Sequence, residues 1–190
     1  MSAIIVYMLF YGGADEHKDI NVHIAYAPAQ INLEESKIIN ADYEGYSFTA
    51  FAEFSLQARV LGAKRYRWGS SSVIAPVDLA LGWQEMSKDD IVKRINISQS
   101  GRWYYWSYEG NIPTRRENIE RQSANMHMIP LNDNVRDTLL DVERNDIVQI
   151  QGYLVNVKGD DGFTWNSSAT RNDTGDGACE VILVSSIKII

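Results

Sequence analysis

Between Phe54 and Leu61 the chain alternates Phe54, Leu56, Ala58 and Val60 with Ser55, Gln57 and Arg59. A strict period of two belongs to a β-strand with one face in a core and the other in water, which commits the centre of the chain to a sheet. Other runs agree. INVHIAYA (Ile20 to Ala27), RWYYWSY (Arg102 to Tyr108), MHMI ended by Pro130, and DIVQIQGYLVNV with a central Gly152 all read as strands. DGFTW follows a turn at GDDG and forms a hairpin with the last of these, and CEVILVSSIKII closes the chain as another long strand.

Helical signals are short. Pro76 opens one in VIAPVDLALGW, closed by Gly82; Ser87 precedes KDDIVKRI, whose acids come first and bases last, as the helix dipole favours. RRENIERQS is a polar helical stretch. In NVRDTLLDVER, Asn132 or Asp133 caps a helix that gathers Val135, Leu139, Leu140 and Val142 toward one face. With no βαβ alternation and no internal repeat, the expected class is α+β, mainly β: a twisted antiparallel sheet or small OB-like barrel with short helical insertions. Residues 1–45 read as an apolar segment followed by an irregular acidic arm, and residues 46–190 as the β-rich core domain.

Charge narrows the function. The formal net charge is -7, which argues against nucleic acid and anionic lipid, since both reward clustered cations. The charge is uneven: residues 1–45 carry -5, residues 46–121 carry +3 and the remainder -5. Arg59, Lys64, Arg65, Arg67, Arg102, Arg115, Arg116 and Arg121 all fall in that basic middle. Cys179 is the only cysteine, so no internal disulfide and no cysteine-based zinc site exists. His17, His23 and His127 lie far apart without a metal-ligand spacing, and NDTGDG lacks the closing glutamate of a calcium loop. No cofactor and no metal is expected.

The candidate site residues cluster late in the chain. In RWYYW, Trp103 and Tyr105 fall on one strand face and Tyr104 and Trp106 on the other, so that one pair packs inward and the other can stack on bases, sugars or a partner's side chains. Arg102, Tyr104, Trp106, Arg115, Arg116, Ser168 and Arg171 form the expected ligand-binding set, with hydroxyl and guanidinium donors suited to an anionic or sugar ligand. His127, between Met126 and Met128, points away from them; as a catalytic base it would need an orienting carboxylate, for which Asp173 and Glu180 are the candidates. Cys179 reads as a small core residue.

The segments PVDLALGW, SQSGRWYYW, SANMHMIP and TRNDTGDGACE resemble a family of uncharacterised bacterial proteins in which similar segments follow an amino-terminal hydrophobic anchor; the resemblance spans roughly residues 54–185. It implies a domain tethered at the cell envelope, membrane-anchored or periplasmic rather than cytoplasmic, with AIIVYMLFY (residues 3–11) as the anchor's end, and it carries no activity over. Read as a strand, the same run would simply be buried. NDIVQIQGYLV is also similar to a strand of OB-type barrels, with Asn145 where that pattern has glycine. The leading expectation is a non-enzymatic domain that binds a protein partner or an anionic or sugar ligand. A hydrolase acting on phosphodiesters through His127, and an OB-like binder of single-stranded nucleic acid, are the alternatives.

Overall fold

The computed structural model describes residues 23–39, 41, 43–169 and 179–190. Its organising strand is β2 (Tyr46–Arg65), twenty residues long, in which every second residue from Phe48 to Ala58 is buried and Arg59, Val60 and Leu61 are then buried in succession. Such a strand is too long to stay on one core. Two bulges, at Phe51 and Leu61, break its register and reverse its faces. Between them Ala52, Phe54, Leu56, Ala58 and Val60 line the main core; outside them Phe48 and Ala50 enter a second apolar cluster and Leu61 a third.

β2 pairs with both β3 (Val77–Gly82) and β7 (Ile147–Gly159). The order β2, β3, β6 (Ser123–Pro130), β9 (Glu180–Ile189), β7 therefore returns to β2 and closes a ring. Neighbours are antiparallel except β6 and β9, which run parallel. Helix α4 (Asp133–Asp141), capped by the Asn132 side chain accepting from Val135 N, connects β6 to β7 and brings Val135 and Leu139 into the barrel interior. Five strands closed in this order form the small OB-like barrel, with one parallel pair where an all-antiparallel sheet was the other expectation. Gly152 sits opposite the bulge that Ser185 makes in β9. A Cβ there would run into the Leu183 carbonyl, so only glycine lets the backbones approach.

The connection between β3 and β6 is long and structured. It contains a single tight helical turn at Gln84–Ser87, α2 (Asp89–Val92), the hairpin β4 (Ile95–Ser100) and β5 (Trp103–Tyr108), and α3 (Arg116–Arg121). Its apolar side covers the outer face of the barrel around Leu61 and Ala80. A short strand, β8 (Thr164–Asn166), pairs with β7, as the turn at GDDG predicts.

Several local expectations are corrected. The stretch read as an irregular arm contains β1 (Ala29–Ile39), which pairs with β2 around a bulge between Asn32 and Lys37; most of its side chains face water, so its pattern lacks an apolar face. Residues 23–27 of the expected INVHIAYA strand are not a strand, and residues 20–22 lie outside the described residues, as does the run 3–11. VDLALG is β3, not a helix, while the helix α1 (Ser70–Ile74) stops before Pro76, which disfavours helical backbone in the residue preceding it. Ser87 does not cap α2: its hydroxyl accepts from Ile24 N and donates to the Gln84 carbonyl. Among the described residues no helix is long and apolar enough to cross a membrane.

Candidate functional site

In β3 and β6 the side chains of Val77, Leu79, Met126 and Met128 enter the barrel. Asp78 and His127, directly paired across the two strands, therefore emerge on the outer face. Neither reaches open water: both are buried beneath the insertion and β8. His127 Nδ1 stands 2.9 Å from Asp78 Oδ1, a close electrostatic contact that lies off the line of a hydrogen bond.

The third member comes from the turn of the β4–β5 hairpin. Gly101 and Arg102 both have positive φ, 58° and 71°, as a two-residue primed turn requires. Glycine adopts this freely; an arginine there gives up on the order of 1 kcal/mol. What holds it is its side chain. Nη1 lies 2.6 Å from Asp78 Oδ1, while Nη2 donates to the Ala75 carbonyl at 2.9 Å and to Ser71 Oγ at 3.2 Å. The guanidinium carbon sits 3.8 Å over the Tyr66 ring and 5.5 Å from that of Trp165, and Trp165 in turn lies 4.6 Å from the His127 ring. Main-chain bonds complete the lock: Arg102 N donates to the Tyr66 hydroxyl at 3.1 Å and Asn125 Nδ2 donates to the Arg102 carbonyl at 3.1 Å.

The cluster thus joins the loop after β2 (Tyr66), α1 (Ser71), the β3–β6 face (Asp78, Asn125, His127), the insertion (Arg102) and β8 (Trp165). Its electrostatics are tight. Asp78 Oδ1 meets both Arg102 and His127, and the other oxygen, buried, has no hydrogen bond among the described residues. Burial, and then the Asp78 charge, push the Tyr66 hydroxyl above its ordinary pKa. Burial, with Glu180 and Asp78 adding to it, pushes the Cys179 thiol up to about 11; the side chain is half-buried and belongs to none of the three apolar clusters, where the sequence suggested a core residue. Among the described residues no three of His, Cys, Asp and Glu gather as a metal site.

The remaining sequence candidates are spread out. Tyr104 and Trp106, expected on the displayed face, pack inward against the third cluster with Ile97. Burial raises the Tyr104 hydroxyl to about 12, and it lies 3.0 Å from Ser123 Oγ. The outward face of the hairpin carries Trp103, Tyr105 and Ser107 from β5, opposite Ser100, Ser98 and Asn96 from β4, all exposed. Arg115 and Arg116 are exposed at α3; Arg116 Nε donates to Glu120 at 2.7 Å and its guanidinium lies 5.5 Å from the Trp106 ring. Ser168 is buried, its N–H donating to the Cys179 carbonyl. Glu180 pairs with Met126 in β6 and so belongs to the sheet face opposite His127. Asp173 and Arg171 lie outside the described residues.

Asp78 is the carboxylate beside His127, and sequence reasoning missed it along with Tyr66 and Ser71. One signal was present: an acid inside the otherwise apolar PVDLALG, where a charged side chain needs a partner. The basic middle of the chain also divides. Arg59 is fully buried, while Lys64, Arg65 and Arg67 are exposed. No protein-family model, curated protein or solved structure matches the chain.

Proposed function

We propose that this chain is a non-enzymatic binding module in which the barrel holds the β4–β5 hairpin and the loop after β2 as a preformed recognition surface for a protein partner or an anionic or sugar ligand. The observation that carries it is Arg102. Its terminal nitrogens are spent inward, on Asp78, Ala75 and Ser71, from a backbone position that costs an arginine energy, so its role is to seat the hairpin rather than to meet the ligand. A surface held this rigidly loses little entropy on binding. The side chains left for recognition are Trp68, 90% exposed, and Trp103 and Tyr105, 40% and 52% exposed, with Lys64, Arg65 and Arg67 at the end of β2. Residues 3–11, acting as a tether, would present this surface at the cell envelope.

OB barrels take single strands on the face equivalent to β3–β6. Here that face is roofed by the hairpin, through Gln99 to the Asp78 carbonyl and to Asn125 and through Tyr104 to Ser123, which counts against the nucleic-acid reading along with the acidic charge. The hydrolase reading keeps one specific support: the contact of His127 with Asp78 supplies an orienting carboxylate.

The two are separated by one set of measurements. Immobilised glycans, peptides and oligonucleotides are probed with the wild type, a Trp103→Ala/Tyr105→Ala double variant and His127→Asn, while chromogenic phosphodiesters are assayed in parallel. The binding module predicts association lost in the double variant and no turnover. Turnover abolished by His127→Asn, or association indifferent to the double variant, would overturn it.

A further inference from the structure

We infer that the outward face of the β4–β5 hairpin is a platform for a neutral oligosaccharide. This rests on the binding-module reading and names its ligand class. The strand pairing sets Ser100 beside Trp103, Ser98 beside Tyr105 and Asn96 beside Ser107, so two exposed aromatic rings lie in a field of hydroxyl and amide groups. That is the chemistry of a sugar in reverse. A pyranose offers an apolar face of C–H bonds, which stacks on an aromatic ring, and a rim of hydroxyls, which pair with groups able both to donate and to accept, as serine and asparagine can. Residues two apart on a strand stand roughly 6.5–7 Å apart, a spacing that lets neighbouring units of one chain rest on Trp103 and Tyr105 in turn.

Charge excludes the competing ligands. From Ile95 to Tyr108 the only charged residue is Arg102, and its guanidinium is turned to Asp78 on the inner side. A phosphate- or sulfate-bearing chain would find no counter-charge on the face, and such ligands depend on arginine or lysine. A protein partner would find no aliphatic side chain to complete the apolar centre that stable interfaces have.

The rings are also positioned in advance. Beneath them Ile97, Tyr104 and Trp106 pack on the third cluster, and Gln99 donates to the Asp78 carbonyl at 3.2 Å and to Asn125 Oδ1 at 2.7 Å. The hairpin is a separate two-stranded sheet laid on the barrel, and its inner face does the anchoring so that its outer face can remain free for a ligand.

The test is a titration followed by ¹H–¹⁵N spectra, including the tryptophan indole signals. Cellohexaose, chitohexaose, xylohexaose and maltohexaose are the neutral probes, with oligothymidylate and a heparin hexasaccharide as charged comparators. At least one neutral probe should shift the Trp103 indole and the Tyr105 amide saturably, with affinity unchanged between about 50 mM and about 500 mM salt, because no ionic contact is being screened. Trp103→Ala and Tyr105→Ala should each weaken it about tenfold, in line with the worth of one stacked ring, while Trp103→Phe retains most of it. Both side chains are substantially exposed, and thermal unfolding checks that the variants fold. Absence of any shift with all four neutral probes overturns the proposal, as does binding that survives both alanine variants. If only a charged probe or a peptide binds, and the alanine variants abolish it, the glycan inference falls while the binding module stands; if no association depends on the hairpin, both fall.

Discussion

Two arginines pin the insertion to the barrel, and they do so in opposite ways. Arg59, on β2, has a fully buried side chain, and its partner Asp89 at the start of α2 is 21% exposed; on the hairpin side Arg102 is 17% exposed and its partner Asp78 is fully buried. In the first pair the cation has been taken out of water, in the second the anion. That difference matters because a guanidinium cannot shed its charge, whereas a carboxylate can take up a proton or draw on a histidine. Arg59 must therefore keep its partners in every state of the folded protein. It holds Asp89 through Nη1, the Ser87 carbonyl at 3.2 Å and Asn145 Oδ1 at 2.8 Å. Asn145 has φ 77°, and asparagine is among the few residues that tolerate this in place of glycine. Asp78, by contrast, is shared between Arg102 and His127, so that losing one partner leaves it the other. One pair is a permanent clamp; the other is a seat that can adjust.

The largest expected effect attacks the clamp. Arg59→Leu removes the donor to Asn145 and the Ser87 carbonyl and leaves Asp89 with Lys93 alone, and it should lower unfolding stability by about 3–5 kcal/mol, read from the urea midpoint at unchanged slope. Asp78→Asn keeps the shape of the seat and leaves Arg102 access to water, so the loss should be about 2 kcal/mol, accompanied by faster amide exchange confined to the hairpin. Equal losses in the two variants, or exchange that spreads through the barrel from Asp78→Asn, would erase the distinction between clamp and seat.

A smaller effect is the acid dependence. Burial alone would raise the Asp89 pKa, but hydrogen bonds and charge from Arg59 and Lys93 outweigh it and hold the carboxyl below its usual range. A group depressed in the folded state contributes stability that is present above its unfolded value, about 3.9, and is lost as pH falls through its folded value. The wild-type urea midpoint should therefore fall on moving from neutral pH to below about 4, and Asp89→Asn should flatten that part of the curve. The smallest effect concerns Cys179. With the thiol raised to about 11, alkylation by iodoacetamide at pH 8 should be much slower in the folded protein than in urea, and equal rates would contradict its burial.

Legibility followed contrast between faces. Strands with one wet side, such as the centre of β2, announce themselves by alternation, and α4 by its cap and apolar stripe. β3 did not, because both its faces are covered: Val77, Leu79 and Leu81 point into the barrel while Asp78, Ala80 and Gly82 lie under the insertion. With no polar face the period vanishes, and Pro76 and Gly82 then read as helix ends. That one misreading concealed the site, since placing Asp78 on a helix removed it from His127's side. β1 failed for the opposite reason, having almost no apolar face to detect.

The hairpin shows the boundary most clearly. The order of residues in RWYYW determined that Trp103 would share a face with Tyr105 and Tyr104 with Trp106, because side chains alternate along any strand. Which pair would meet solvent was decided only when the hairpin settled on Leu61, Ala80 and Ile119 and Arg102 reached Asp78. A local period is a property of the chain's own geometry and survives in any fold; burial and charge pairing depend on what arrives from elsewhere, here from residues more than twenty positions away, and only the closed barrel brings them together.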